Sequence, residues 1–142
     1  MTSFNPNRLS FEQGIERIHN AVGDRFGDPK AIITSRDENV EDLENILKTD
    51  NVPAGFHKWQ LPVYMDGASQ FFMSFAGPGT VVDTHSHDEG AGLRVILNGS
   101  ITFGRRQLVA GDWMFIPRGV PYGFQVGPMG VGMFYCYQCC CA

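Results

Sequence analysis

The chain of 142 residues is 43% hydrophobic and 18% charged, enough apolar material for one core and too short for two ordinary domains. A net charge of −4 gives no basic footprint for nucleic acid, and the adjacent Arg105 and Arg106 read as a solvated hairpin tip. No apolar run approaches the roughly 18 residues of a membrane span. The opening MTSFNPNRLSFEQG has neither the charged start nor the apolar stretch of a secretory leader, so a cytoplasmic protein without a membrane partner is expected.

Ser10 and Gln13 make a capping-box pattern, and Phe11, Ile15, Ile18 and Val22 recur at helical spacing, which predicts an amphipathic helix over 11–21. A second helix is predicted over 40–47, where Val40, Leu43 and Leu47 share a face and Glu41, Asp42 and Glu44 crowd the first turn, favourably for the helix dipole. These two short helices define an N-terminal extension over 1–54. After Pro53 and Gly55 the period changes to alternation, and Gly, Pro and Asp punctuate short runs of Phe, Val, Ile and Tyr. Strands are predicted over 57–61, 70–75, 81–87, 93–97, 100–103, 107–109, 113–116, 122–125 and 131–137, a mainly β domain over 55–138 of sandwich or small-barrel type.

His85 and His87 stand two positions apart in the strand expected over 81–87. Side chains alternate across a strand, so both imidazoles share a face, and neutral imidazole is the commonest protein ligand for transition metals. A metal is one reading of the pair, and two surface histidines on an edge strand the other. Parity places Val81 and Asp83 on the same face and turns Gly92, Arg94 and Ile96 inward from the following strand. An inward guanidinium needs a partner. Three outcomes are open: an internal ion pair with Asp83 or Glu89, a substrate carboxylate held bidentately, or a bulge that turns Arg94 to solvent.

The segments GTVVDTHSHDEGAGLRVILNG and GDWMFIPRGVPYGF resemble the paired motifs of the cupin superfamily. Gly79, His85, His87 and Gly99 fall on the first motif, and Gly111, Pro117 and Gly119 on the second. The resemblance implies a single-domain jelly-roll β-barrel with a divalent transition metal (Fe, Zn, Ni, Mn or Cu) in its cavity. It also implies a homodimer, to which the apolar run 70–75 would contribute. Two ligand positions depart from the family pattern: Gly92 stands in the place of its glutamate and Tyr122 in the place of its last histidine. A residue without a side chain at 92 would leave the metal an additional open position. The first motif is also similar to that of the thiol dioxygenases, which lack the same glutamate but need a third histidine on a later strand; here only His19 and His57 remain. The third ligand is open among Glu89, Asp88, His57 and Tyr122, with Glu89 favoured by parity beside His85 and His87.

The function implied is a small non-haem metal enzyme of oxygenase, lyase or isomerase type acting on a small carboxylate-bearing metabolite. Arg94 would hold the acid, and Tyr122 would donate a hydrogen bond or carry a proton. The alternative is a metal-free cupin that binds or isomerises a small ligand, with His85 or His87 as base and Tyr122 as acid. Cys136, Cys139, Cys140 and Cys141 are the four cysteines. The Cys-rich tail over 139–142 is read as a frayed end with reactive thiols, without a disulfide in a reducing compartment.

Overall fold

The computed structural model describes residues 4–138, so the reading of the tail over 139–142 lies outside the described residues. Within them the chain forms two compact units, one over 4–27 and 38–64 and one over 28–37 and 65–138. No helix of the described residues is long and apolar enough to cross a membrane.

The first unit carries helix α1 (Phe11–Val22). The capping box forms as expected, with the Gln13 amide donating to Ser10 Oγ at 3.1 Å and the Ser10 amide to Gln13 Oε1 at 2.8 Å. Ile18 is the buried member of the apolar stripe, whereas Phe11, expected on the same face, is exposed. The single helix expected over 40–47 is two one-turn segments, α2 (Glu38–Glu41) and α3 (Leu43–Ile46). The break falls at Asp42, a poor helix-interior residue whose carboxylate is held outside the helix by Arg25 Nη1 at 2.7 and 2.9 Å. The strand expected over 57–61 is shorter and does not join the main sheet. As β3 (Lys58–Trp59) it pairs with β2 (Lys48–Thr49) in a two-stranded ladder.

The second unit is an antiparallel sheet of seven strands. β1 (Ile33–Thr34), absent from the expectations, lies in the β-branched run 32–34 and pairs with β8 (Trp113–Ile116). The other members are β4 (Gln70–Ala76), β5 (Val81–His85), β6 (Gly92–Phe103), β7 (Arg106–Val109) and β9 (Tyr122–Tyr137). The main path runs β1-β8-β6-β9-β4, with β7 on β6 and β5 on β9. The closed barrel expected from the resemblance is therefore not formed by these ladders, whose path ends at β1 and β4. β6 and β9 were each expected as two strands. They are continuous, because Gly99 (φ 69) and Gly130 (φ 73) take a backbone conformation that bends a strand without ending it. The β6–β9 register shifts there, Gly99 facing Val131 while Ile101 faces Val126. On either side of the bend each long strand has a different outer neighbour: β8 then β7 for β6, and β5 then β4 for β9.

Ile96, Ile101, Leu108, Met114, Ile116, Phe124, Val126, Val131 and Met133 form one buried core cluster together with Tyr122, large apolar side chains each stabilising by about 1.5–3 kcal/mol when buried. On the terminal strand β4, Phe71, Met73 and Phe75, the run behind the expected homodimer, are 70%, 58% and 74% exposed.

Candidate functional site

β6 presents Gly92, Arg94 and Ile96 inward, as parity predicts; all three are buried. On β5 the expectation fails. Val81 is exposed and Val82 packs on the core, because the β5–β9 register shifts between Val82 and His85. The irregularity exchanges the two faces, so His85 follows Val82 inward instead of sharing a face with Val81 and Asp83. It also turns the Asp83 carbonyl onto the His85 ring, 2.8 Å from Nδ1, which leaves Nε2 as the outward nitrogen.

The second glycine-bounded segment locks this loop. The Gly119 amide donates to the His87 carbonyl at 2.9 Å, Arg118 Nε donates to the Asp88 carbonyl at 2.8 Å, and Ser86 Oγ donates to the Asp88 carboxylate at 2.9 Å. The two imidazoles stand edge to face with centroids 5.1 Å apart. Tyr122 is the register partner of His85 across β5 and β9, with ring centroids 4.7 Å apart.

Behind them Arg94, 7% exposed, lies with Tyr122 and Tyr137, 2% and 1% exposed. Among the described residues neither Asp83 nor Glu89 pairs with it, so the internal ion pair, one of the three open outcomes, is not formed. Arg94 Nη2 donates to Tyr137 Oη at 2.5 Å and to Tyr122 Oη at 3.2 Å, and Nη1 donates to Met133 Sδ at 3.5 Å. The flat guanidinium lies over the rings of Tyr135, Phe124 and Tyr137, at 4.4, 5.1 and 5.8 Å. Its Nε is buried without an acceptor. Both terminal nitrogens are thus engaged inside the sheet, and the fork that a substrate carboxylate was expected to use is already occupied.

Tyr137 is the residue that sequence reasoning missed. It is the register partner of Gly92, and a Cβ at Gly92 would collide with its ring. The space that a glycine at the glutamate position was expected to leave open is filled by a phenol from the far end of β9. A glycine at an inward strand position signals a large side chain opposite it, and that signal was available.

The two phenols are 2.7 Å apart, and His87 Nε2 is 3.3 Å from Tyr122 Oη. Each phenol carries one proton. Among the described residues one direction gives both hydroxyl protons an acceptor: Tyr137 donates to Tyr122, and Tyr122 to His87 Nε2, with Arg94 donating to both oxygens. The electrostatics agree. Burial, then His85 and Arg94, hold the His87 imidazole below its usual protonation range against the opposing pull of Asp88, so the ring is a neutral acceptor. Burial likewise pushes the Tyr137 phenol well above its ordinary value, so it keeps its proton.

Of the other histidines and carboxylates, Glu89 lies in the same unit as His87, and His57 and His19 belong to the first unit. Glu89 is exposed in the turn after His87; His57 is exposed beside β3; His19 Nε2 is 2.8 Å from Tyr64 Oη. Cys136 on β9 is half-buried, and burial pushes its thiol upward. Among the described residues no group of three or more His, Cys, Asp or Glu is placed to hold a metal ion. Of the donors gathered here two are imidazoles and the third is a phenol, a poor ligand for a divalent ion at neutral pH, so two ordinary ligands stand where catalytic zinc sites use three and where a two-histidine-one-carboxylate site adds a carboxylate.

No family model matches the chain, and no curated protein matches it. Solved structures do. A chain in the crystal structure of Rhodobacter sphaeroides SigE in complex with the anti-sigma ChrR has 16% identity and a TM-score of 0.46, over 51% of this chain and 40% of that one. An RmlC-like cupin from Shewanella frigidimarina has 19% identity and a TM-score of 0.43, over 49% of this chain and 64% of that one. A cupin protein from Bacteroides fragilis has 20% identity and a TM-score of 0.44, over 58% and 72%. This chain spans less than two thirds of the length of the first two. Its structural neighbours include RmlC-like cupins and double-stranded β-helix proteins.

Proposed function

We propose that the protein is a metal-free, cupin-like small-molecule-binding protein whose His87–Tyr122 pair handles a proton on a bound ligand. The observation that carries this reading is a pair of tyrosines, Tyr122 at one departing position and against His85, and Tyr137 against the other departing position, Gly92, both bonded to Arg94. A phenol is a poor ligand for a divalent ion at neutral pH, where it holds its proton, but a good hydrogen-bond donor. Tyr122 accepts from Arg94 and Tyr137, which polarises its own O–H toward His87. A ligand carbonyl or hydroxyl inserted between them would take the phenol's hydrogen bond, while neutral His87 would accept a proton from an adjacent carbon or oxygen.

A two-histidine metal site is the second reading, and one observation favours it. Metal-bound histidines usually have the other ring nitrogen fixed by a carbonyl or carboxylate, as Asp83 fixes His85. Imidazole nitrogen NMR, together with metal analysis of protein purified without chelator or affinity tag, distinguishes the two. The proposal expects no stoichiometric metal and a neutral His87 protonated on Nδ1, with its Nε2 signal shifted in Tyr122→Phe. Stoichiometric metal that disappears in His85→Ala would replace it with the second reading.

A further inference from the structure

The unit that carries the helices has a cavity of its own, of about 370 Å³, within the roughly 300–1,000 Å³ usual for small-molecule sites. Its wall comes from the segment before α1, from Gly14 and Arg17 on α1, from the β2–β3 hairpin and from Gln60. Four lining residues are cations, Arg8, Arg17, Lys48 and Lys58, and one is a carboxylate, Asp50. That is three net positive charges on one concave surface in a chain whose total is −4. Like charges gathered around a cavity repel, and an anion in the cavity relieves the repulsion.

The carboxylate already present does not supply that relief. Arg8 Nη1 and Asp50 Oδ1 are 3.8 Å apart, with side chains 55% and 95% exposed, a pairing of little energetic worth. Among the described residues Arg17, Lys48 and Lys58 form no ion pair. Arg17 is nevertheless held in place. Its Nη1 donates to Gln60 Oε1 and its Nη2 to the Lys48 carbonyl, each at 2.8 Å, and Gln60 Nε2 in turn donates to the Gly14 carbonyl at 3.2 Å. Two neutral acceptors orient the guanidinium and leave its other N–H groups and its full charge for a ligand. Phe4, Pro6 and Leu9 supply an apolar side to the same cavity, and Phe4 and Leu9 are about half exposed.

We propose that this cavity binds a small organic phosphate, with the phosphate on Arg17, Lys48 and Lys58 and an apolar ring or chain against Phe4, Pro6 and Leu9. A phosphate monoester carries a charge of about −1.5 to −2 at neutral pH, which suits three net positive charges better than a single carboxylate does. Its oxygens also match the arginine fork, with the lysines acting as point charges. This site is independent of the His87–Tyr122 proposal, since all its residues lie in the helical unit.

The test is titration of phenyl phosphate, inorganic phosphate and benzoate into the full chain, followed by amide NMR. Phenyl phosphate is expected to saturate, to bind more tightly than either other probe, and to shift amides over 4–9, 14–17 and 48–60. The exposed pair Lys48→Gln/Lys58→Gln should weaken it about tenfold, the scale of one charge-assisted hydrogen bond. Arg17→Lys, which keeps the charge but loses the fork, should weaken it as well; should that variant lose its fold, the lysine pair decides alone. The proposal is overturned by a failure to saturate at millimolar phenyl phosphate or by unchanged affinity in the lysine variant. Shifts centred on His85, His87 and Tyr122, or tighter binding of benzoate or inorganic phosphate, would overturn it equally.

Discussion

Arg94 on β6 and Arg106 on β7 belong to neighbouring strands of one sheet and keep their charge by different means. Arg106, 46% exposed, pairs through Nε with Asp37, and that carboxylate also accepts from the Thr34 amide and hydroxyl. Arg94 is buried and meets no carboxylate; two phenol oxygens, a thioether sulfur and three aromatic faces surround it instead. An ion pair near water tolerates loss of a partner, since water solvates what remains. A buried cation with neutral partners does not, because each acceptor stands in for solvent. The inside of this sheet is therefore a place where single oxygen atoms matter.

Tyr137 offers the most direct way to break that contrast. Tyr137→Ala should cost about 3–5 kcal/mol, as for other large buried aromatics. Tyr137→Phe keeps the ring and removes the hydroxyl, which is the acceptor at 2.5 Å from Arg94 and the donor to Tyr122, for about 1.5–3 kcal/mol, the range of a hydrogen bond to a charged group. Urea melts measure both. A loss for Tyr137→Phe no larger than that of an exposed substitution would show that Arg94 does not depend on the phenol. The same ring sets the fate of position 92, where the resemblance suggests that Gly92→Glu should restore a metal ligand. Even Gly92→Ala places a Cβ into Tyr137 and should cost about 1–3 kcal/mol by overpacking. That cost should shrink in the Tyr137→Ala background, where the opposing atoms are gone. Equal costs in the two backgrounds would mean that the ring moves aside.

What was legible in the sequence follows from which signals are local. Strand parity around Gly92, Arg94 and Ile96, the span 113–116 of β8 and the Ser10 capping box depend on neighbours within a few residues, and all three are found in the structure. The bend at Gly99 and Gly130 was visible as glycine but was taken for a strand end, since positive φ looks the same in either case until the partner strand is known. The β5 irregularity that places Val82 and His85 inward has no marker in VVDTH. Tyr137 lies far from Gly92 in the chain, and only the β6–β9 register brings them together. Composition gave Arg94 a need for a partner but not its kind, and acidic side chains were the nearest candidates in sequence.

The solvated member of the comparison should respond asymmetrically. Arg106→Ala removes a half-exposed cation and leaves Asp37, 12% exposed, with its two hydrogen bonds from Thr34, and should cost about 1 kcal/mol. Asp37→Ala also strands the Thr34 amide and hydroxyl, and should cost about 1–3 kcal/mol. If the two losses match in thermal melts, the pair is behaving as an isolated ion pair, and Asp37 is not the anchor of β1.

The smallest effect belongs to His87, where the inner cluster meets the rim. Burial, then His85 and Arg94, hold its proton affinity below the ordinary 6.5, with Asp88 opposing them. The unfolded chain therefore takes up the proton more readily than the folded one, and stability rises with pH wherever that is so. The contribution from neutral His87 is fully present above 6.5 and is lost as pH falls through 6.5 toward the lower folded value. His87→Gln keeps an oxygen that can accept from Tyr122 but cannot titrate. Urea midpoints at pH about 7.5 and about 5.5 should fall more steeply with acid in the wild type than in this variant, because only one of them has the imidazole proton to bind. Parallel slopes would remove His87 from the electrostatic reach of Arg94, and a wild type that gains stability relative to the variant toward acid would reverse the sign. In either case the proton chain from Tyr137 through Tyr122 would end before the imidazole, and the contrast between the buried cation and its rim would be one of packing alone.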